Sequence, residues 1–329
     1  MKPILGILLG EATGIGPEII AKLCADGRIT AWCRPILLGD ARVLKLGMKF
    51  ANVQFPFSII EDISQIDWNG PIPLWDLKNF DPSNIIMGQI SADSGKATGQ
   101  QFEYALQLYN KGIIDGLTFA PYNKAALEQG GYDIFKLLLR NLKISWPFGE
   151  LNVVNNLWVS RVTSHVPLKK VSNLLTVKSI LGAIKLLNET MVLAGKDQPR
   201  IAVAALNPHA GDEELFGKEE SEVIAPAIAL ANKEGINAMG PFPADTLFVN
   251  AFKGLYDGVT TMYHDQGQIA LKLMNFESAV TIIAGSSCSI TTPAHGTAFD
   301  IAGKGIANAN GMSKAIEIAA AIIQRKKED

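Results

Sequence analysis

Short apolar runs alternate along the chain with segments of helical period, and this rhythm constrains the fold more than any single motif. Ile4 to Leu9 reads as a first strand, RPILLGD (34–40) as another, and SADSGKATGQQFEYALQLYNKG (91–112) as a helix. DGLTFAPYNK (115–124) is a strand with its loop, VKSILGAIKLLNETMVLAG (177–195) a helix, and PRIAVAALNPH (199–209) a strand and loop. KEESEVIAPAIALANKEG (218–235) is a helix closed by Gly235, DGVTTMYHD a strand, and SKAIEIAAAIIQRKK the closing helix. Such alternation predicts an α/β fold of βαβ units around mostly parallel sheets. At 329 residues and 48% hydrophobic content, the chain is long enough for two domains, each with its own core. No short-period repeat or low-complexity linker divides it, so the chain is expected to cross between domains more than once.

Charge narrows the partners. The 30 basic and 32 acidic residues nearly cancel, to a net −2, and no long basic run is present. Nucleic-acid binding is therefore not expected, and small molecules are the expected partners. No stretch approaches the roughly 18 apolar residues of a membrane span. The N-terminal apolar run lacks a basic leader and is followed by Glu11, so a cytoplasmic protein is expected. Cys24, Cys33 and Cys288 are odd in number and show no CxxC spacing, which suits small buried hydrophobes in a reducing compartment.

The four histidines carry the chemistry. His165 in VSRVTSHVPLKK, His209 in AVAALNPHAGDEE and His264 in VTTMYHDQGQ each follow a run rich in Val, Thr, Ile or Ala. Each is thus placed at the carboxyl end of a strand, the edge where open α/β sheets bind ligands. A single such histidine is readily structural. Three in a His-poor chain point to one site, and three imidazoles with an open position are a catalytic divalent-metal arrangement. Around His264, Asp265, Gln266 and Lys272 add charge and hydrogen-bonding capacity, and Asp245 follows the Pro-broken turn in GPFPADTLF. Each charge reads equally well as a general acid or base or as a surface or capping group. The glycine loops GEATGIGPEII (10–20) and DIAGKGIANANG do not fit the GxGxxG register, so a Rossmann dinucleotide site is not supported.

GEATGIGPEII, SADSGKA, TSHVPL, LNPHAGDEELFGKEE, GPFPADTLF, MYHDQGQIALK and AHGTAFDIAGKG stand in the order found in the 4-hydroxythreonine-4-phosphate dehydrogenase family of vitamin B6 biosynthesis. The resemblance runs from about residue 4 to about residue 315. The last segment also resembles HGSAPDIAGKGIANP of isopropylmalate dehydrogenase, from the wider superfamily of metal-dependent decarboxylating dehydrogenases. The resemblance implies two α/β/α domains with an interdomain active-site cleft: a discontinuous cofactor-side domain of 1–122 plus 280–329, and a metal- and dimer-side domain of 123–279. It implies a homodimer whose subunits together hold one divalent metal, zinc or magnesium, manganese or cobalt, through His165, His209 and His264. Lys272 matches a substrate-binding lysine, and Asp245, Asp265 or Lys272 is the expected proton acceptor. The loop after the last strand is expected to wrap the adenosine half of NAD, through His295, Gly296, Thr297, Asp300, Ile301 and Asn308. A carboxylate at Asp300 accepts from two ribose hydroxyls and repels a 2′-phosphate, so NAD is expected over NADP.

The implied reaction is NAD-dependent oxidation of a hydroxy acid to a β-keto acid, followed by decarboxylation. Departures from the family pattern bear on substrate. Tyr132 and Asp133 stand where a His-Thr pair is expected, and Thr281 and Ile290 where an Asn and an Arg are expected. Loss of the arginine removes a bidentate phosphate partner, and Asp133 would repel phosphate. That pattern resembles relatives acting on cis-dihydrodiol carboxylates of the terephthalate dihydrodiol type. Erythronate or threonate 4-phosphate is a third substrate, and a catalytically silent metabolite-binding relative is the non-enzymatic alternative.

Overall fold

The structure, a computed structural model, describes residues 1–328. Two compact units divide the chain, 1–144 with 286–329, and 145–285. The crossings thus fall at 144/145 and 285/286, where the sequence reading has them at 122/123 and 279/280. The helices Lys124–Gln129 and Ile134–Asn141 account for the first difference, because they pack on helix Ala92–Asn110 and so stay with the first unit.

The first unit has six strands: β1 (Ile4–Leu8), β2 (Arg34–Gly39), β3 (Phe57–Ile60), β4 (Ile72–Asp76), β5 (Gly116–Phe119) and β12 (Ser289–Pro293). They lie in the order β3-β4-β2-β1-β5-β12, every neighbouring pair parallel. The central strands are near-continuous apolar runs because both faces are covered, and Leu5, Ile7, Leu37, Leu38 and Leu117 are fully buried. Helices Gly16–Ala25, Ala41–Ala51 and Asn310–Glu328 contribute Ile19, Leu23, Val43, Leu44, Met312 and Ile316 to one core cluster. Phe102, from helix Ala92–Asn110, packs edge-on against Phe119 at 4.8 Å between ring centres. After β1 the chain builds outward to β2, β4 and β3, then returns to place β5 on the other side of β1. The order therefore reverses between β1 and β5, a topological switch point.

The second unit contains β6 (Ile144–Val154), β7 (Leu157–Arg161), β8 (Ile201–Ala204), β9 (Ala238–Phe242), β10 (Gly258–Thr261) and β11 (Val280–Ser286). Their order is β11-β6-β7-β10-β8-β9. The hairpin β6/β7 is antiparallel, whereas β7, β10, β8 and β9 run parallel. Helix Val177–Leu193 covers this sheet with Ile180, Ile184, Leu187 and Met191, and a capping box at Thr176 fixes its start. All three cysteines are buried free thiols. Burial pushes the Cys33 thiol up to about 12, which suits packing rather than reactivity. Among the described residues no helix is long and apolar enough to cross a membrane.

Candidate active site

In the second unit the three histidines follow neighbouring parallel strands. His165 comes after β7, His264 after β10 and His209 after β8. Backbone and side-chain bonds hold the first two segments together: the Thr163 amide and hydroxyl both donate to the Met262 carbonyl, at 3.1 and 2.8 Å. The rings of His165 and His264 lie 5.6 Å apart, centre to centre. Gln266 ties the same turn to the end of β8, accepting from the Met262 amide and donating to the Ala205 carbonyl, both at 2.7 Å.

His209 lies on a loop of unusual backbone. His209, Ala210, Asp212, Glu213 and Glu214 all have positive φ, a conformation costly for residues with a Cβ and met mainly where surroundings enforce it. Glu220, 6% exposed, anchors the start of this loop. Its carboxylate accepts from the amides of Leu206 and Asn207 and from the Asn207 side chain, at 2.8 to 2.9 Å. Glu220 is a residue that sequence reasoning passed over, although KEESEV offers an acidic helix start to the preceding loop.

The carboxylates and lysine expected nearby are distributed differently from one another. Asp265 accepts from His264 Nδ1 at 2.7 Å and so orients that ring. Lys272 is on the same helix, His264–Asn275, two turns further on. Asp245 is in the first turn of helix Ala244–Phe252, directly after β9. Among the described residues of one chain, no group of three or more His, Cys, Asp or Glu side chains stands close enough to hold a metal ion. The chain brings His165 and His264 together and does not add His209 to them. Two exposed or half-exposed imidazoles at this spacing fit part of a divalent coordination sphere.

Arg161, also passed over, ends β7 three residues before Ser164, which accepts from its Nε at 2.9 Å. It reaches Glu150, and Asn152 at 2.6 Å, and Asn152 donates to the Thr281 hydroxyl at 3.0 Å. Gln268 donates to the same Asn152 oxygen. Thr281 therefore belongs to a half-buried polar network of the sheet. Ile290 is fully buried near the start of β12, beside Leu117 of β5. Asp133 caps helix Ile134–Asn141, accepting from the Lys136 amide and pairing with its ammonium at 3.1 Å. Tyr132 donates to Glu103 at 3.2 Å.

In the first unit, the loops that follow β1, β5 and β12 gather at the switch point. The β1 loop begins at Gly10, where φ is +74° and a Cβ would stand 2.6 Å from the Ala120 carbonyl. Only glycine allows the two loops this approach. Glu11, 0% exposed, then bridges them: its carboxylate accepts from the Asn123 amide at 2.6 Å and from the Thr13 hydroxyl at 3.1 Å. Burial outweighs these bonds and raises the Glu11 carboxyl from 4.5 to about 7. The Ile15 amide bonds the Thr297 carbonyl at 3.1 Å, joining the β1 loop to the segment after β12.

That segment, 294–309, has no regular structure. His295, Thr297 and Ile301 are half-buried or buried, while Gly296 and Asp300 are exposed. A Cβ on Gly296 would meet nothing within 4 Å. An exposed carboxylate, an amide side chain at Asn308 and open backbone at Gly296 fit the adenosine half of a nicotinamide cofactor, which needs acceptors for ribose hydroxyls and room for a flat base.

Ligand loops at the carboxyl edges of parallel sheets, with histidines in one unit and a glycine-rich loop in the other, define an α/β protein built to bind small metabolites. Known proteins make the class specific. The family model described as pyridoxal phosphate biosynthetic protein PdxA matches residues 31–319. A Pseudomonas aeruginosa protein provisionally named 4-hydroxythreonine-4-phosphate dehydrogenase 2 is 41% identical over 325 residues, covering 96% of each chain. A Clostridium botulinum protein provisionally named D-threonate 4-phosphate dehydrogenase is 36% identical over 322 residues, 97% of this chain and 96% of that one. The crystal structure of 4-hydroxythreonine-4-phosphate dehydrogenase from Klebsiella pneumoniae superposes with a TM-score of 0.83 at 33% identity, covering 98% of this chain and 99% of that one. The chain belongs to the PdxA family, and the dehydrogenase names of its relatives place it among the oxidoreductases.

Proposed function

We propose that this protein oxidises the secondary alcohol of a small 4-phosphorylated hydroxy acid with NAD and a divalent cation, and that the β-keto acid so formed loses carbon dioxide. The observation that carries the reading is the placement of His165, His209 and His264 after three adjacent parallel strands in a chain whose relatives are named as dehydrogenases. Those relatives are named for 4-hydroxythreonine-4-phosphate and D-threonate 4-phosphate. Both are four-carbon hydroxy acids bearing a terminal phosphate.

Two departures that favour an unphosphorylated substrate lose force on inspection of their surroundings. The Asp133 carboxylate is already engaged by Lys136 and a helix amide, and Ile290 is buried within β12. Neither weighs against a phosphate elsewhere. When bound, the cation would supply Lewis acidity and NAD would supply a hydride acceptor. His165 and His264 hold the cation from one subunit, and His209 of a second copy completes the set in a homodimer. Asp265 fixes the His264 ring, which leaves Asp245 or Lys272 to take the hydroxyl proton. Asp300 and Asn308 bind the adenosine half of NAD.

The test is NAD reduction with 4-phosphooxy-threonine, threonate and erythronate 4-phosphates, and a cyclic cis-dihydrodiol carboxylate, each with Zn²⁺, Mg²⁺, Mn²⁺ or Co²⁺. Turnover of a phosphorylated acid is expected. Turnover of the dihydrodiol alone overturns the substrate, and no reduction with any of them overturns the enzyme.

A further inference from the structure

Helix Gly16–Ala25 grips the loop 305–307 through an ion pair between buried Glu18 and half-buried Lys22. The Glu18 carboxylate, 1% exposed, accepts from the Ala307 amide at 2.8 Å and the Gly305 amide at 3.2 Å. It also accepts from the Lys22 ammonium at 2.8 Å, one helical turn away. Lys22 Nζ donates in turn to the carbonyl oxygens of Gly305 and Ala307, at 2.9 and 2.8 Å. Both amides and both carbonyls that flank Ile306 are thereby held by two side chains.

The other side of the loop is fixed as well. Gly305 has φ +75°, and a Cβ there would stand 2.5 Å from the Phe50 carbonyl. Between these restraints Ile306 is 66% exposed. Holding a large aliphatic side chain in water opposes the hydrophobic effect, and an ion pair with one carboxylate taken out of water is a poor source of stability compared with apolar packing. What the arrangement does provide is one backbone conformation, with an apolar surface presented next to Asn308. A flat heteroaromatic base is the ligand such a surface suits, since stacking and apolar contact need no hydrogen-bond partner.

We propose that Glu18 and Lys22 are positioning residues for the nicotinamide cofactor: by pinning Gly305 and Ala307 they hold Ile306 out as a shelf for the adenine ring. The proposal rests on the NAD reading above. Neither residue touches the reacting atoms, so their effect falls on cofactor affinity and leaves the chemical step alone.

Calorimetric binding of NAD and of ADP-ribose, which lacks the nicotinamide, to the full-length protein tests this, with melting temperature and steady-state kinetics alongside. Ile306→Asn is expected to leave melting unchanged, because the side chain is exposed, and to weaken both ligands by about tenfold. Glu18→Gln is expected to raise the KM for NAD by about tenfold while kcat at saturating NAD stays within about twofold. Lys22→Met added to Glu18→Gln is expected to cost little more than either alone, because the pair acts as one device. If Glu18→Gln lowers the melting temperature, Ile306→Asn still decides the matter. Wild-type protein that binds neither NAD nor ADP-ribose overturns the cofactor reading itself. Wild-type binding with unchanged affinity in Ile306→Asn and Glu18→Gln overturns the positioning role alone, as does a fall in kcat with NAD affinity intact.

Discussion

Replacing Glu11 with Gln isolates the electrostatic burden of the switch-point loops. The carboxyl is fully buried, and burial raises it from 4.5 to about 7. Below pH 4.5 it is protonated both folded and unfolded and has no effect on the pH dependence. As pH rises from 4.5 to about 7 the unfolded chain releases the proton and the folded chain keeps it, so folding stability falls across that window. Above about 7 both states are ionised and the loss is constant. At about 1.4 kcal/mol per pH unit, the displacement from 4.5 to about 7 amounts to about 3 kcal/mol. Gln cannot ionise, yet it preserves both contacts: its oxygen accepts from the Asn123 amide while its nitrogen donates to the Thr13 hydroxyl. Melting curves of wild type and Glu11→Gln, measured from pH 4.5 to 8, are therefore expected to diverge in favour of the variant as pH rises. For a unit of this size, about 3 kcal/mol corresponds to a relative change of roughly 6–12 °C. Parallel pH profiles would refute the argument, because the carboxyl would then ionise as easily in the folded loop as in water.

Glu220→Ala strands the Leu206 and Asn207 amides and should cost about 2–3 kcal/mol locally, seen as faster hydrogen exchange over 205–214; unchanged exchange would show that the loop holds its own shape. His264→Asn or His165→Asn is expected to weaken divalent-cation binding on the order of 100-fold, read by competition with a chromophoric chelator, and equal affinity in both variants and wild type would remove these residues from the metal. Asp300→Lys should weaken NAD and favour NADP, and an unaltered cofactor preference would reassign the residue. Phe102→Ala, with Phe119 left facing a void, should lose about 3–5 kcal/mol in thermal or denaturant unfolding, and a loss under 1 kcal/mol would mean the site collapses freely.

What the sequence made legible follows from which interactions are local. The strands at Ile4–Leu8, Arg34–Gly39, Gly116–Phe119, Ile201–Ala204 and Gly258–Thr261 are almost wholly buried, and their short runs of apolar and β-branched residues mark them in the sequence. The hairpin of β6 and β7 escapes such reading because ISWPFGELNVV mixes Pro, Gly and charge, and its first residues are largely exposed. The aligned loop places Asp133 near the substrate. Its position directly before an apolar-periodic run, with Lys136 three residues on, also carries the signature of a helix cap, and the cap is what the structure contains. The strand-end rule puts each histidine at the end of a strand, and the adjacency of those strands is visible only in the sheet order. Glu18 offers no such cue. Its partners, the Gly305 and Ala307 amides, are 287 and 289 residues away along the chain, and only tertiary folding brings them to it.

The first unit is interrupted in sequence, since 286–329 returns to it after the whole of 145–285. During synthesis β5 therefore emerges long before β12, its partner, and before helix Asn310–Glu328, which covers the same sheet. The nascent first unit has an open strand edge and an uncovered apolar face, while every strand of the parallel set in the second unit is already available to pair. Order of manufacture is thus opposite to order of completion: the half made first is finished last. A premature stop just after residue 285 would spare the histidine-bearing unit and leave the other without the strand, loop and helix that close it.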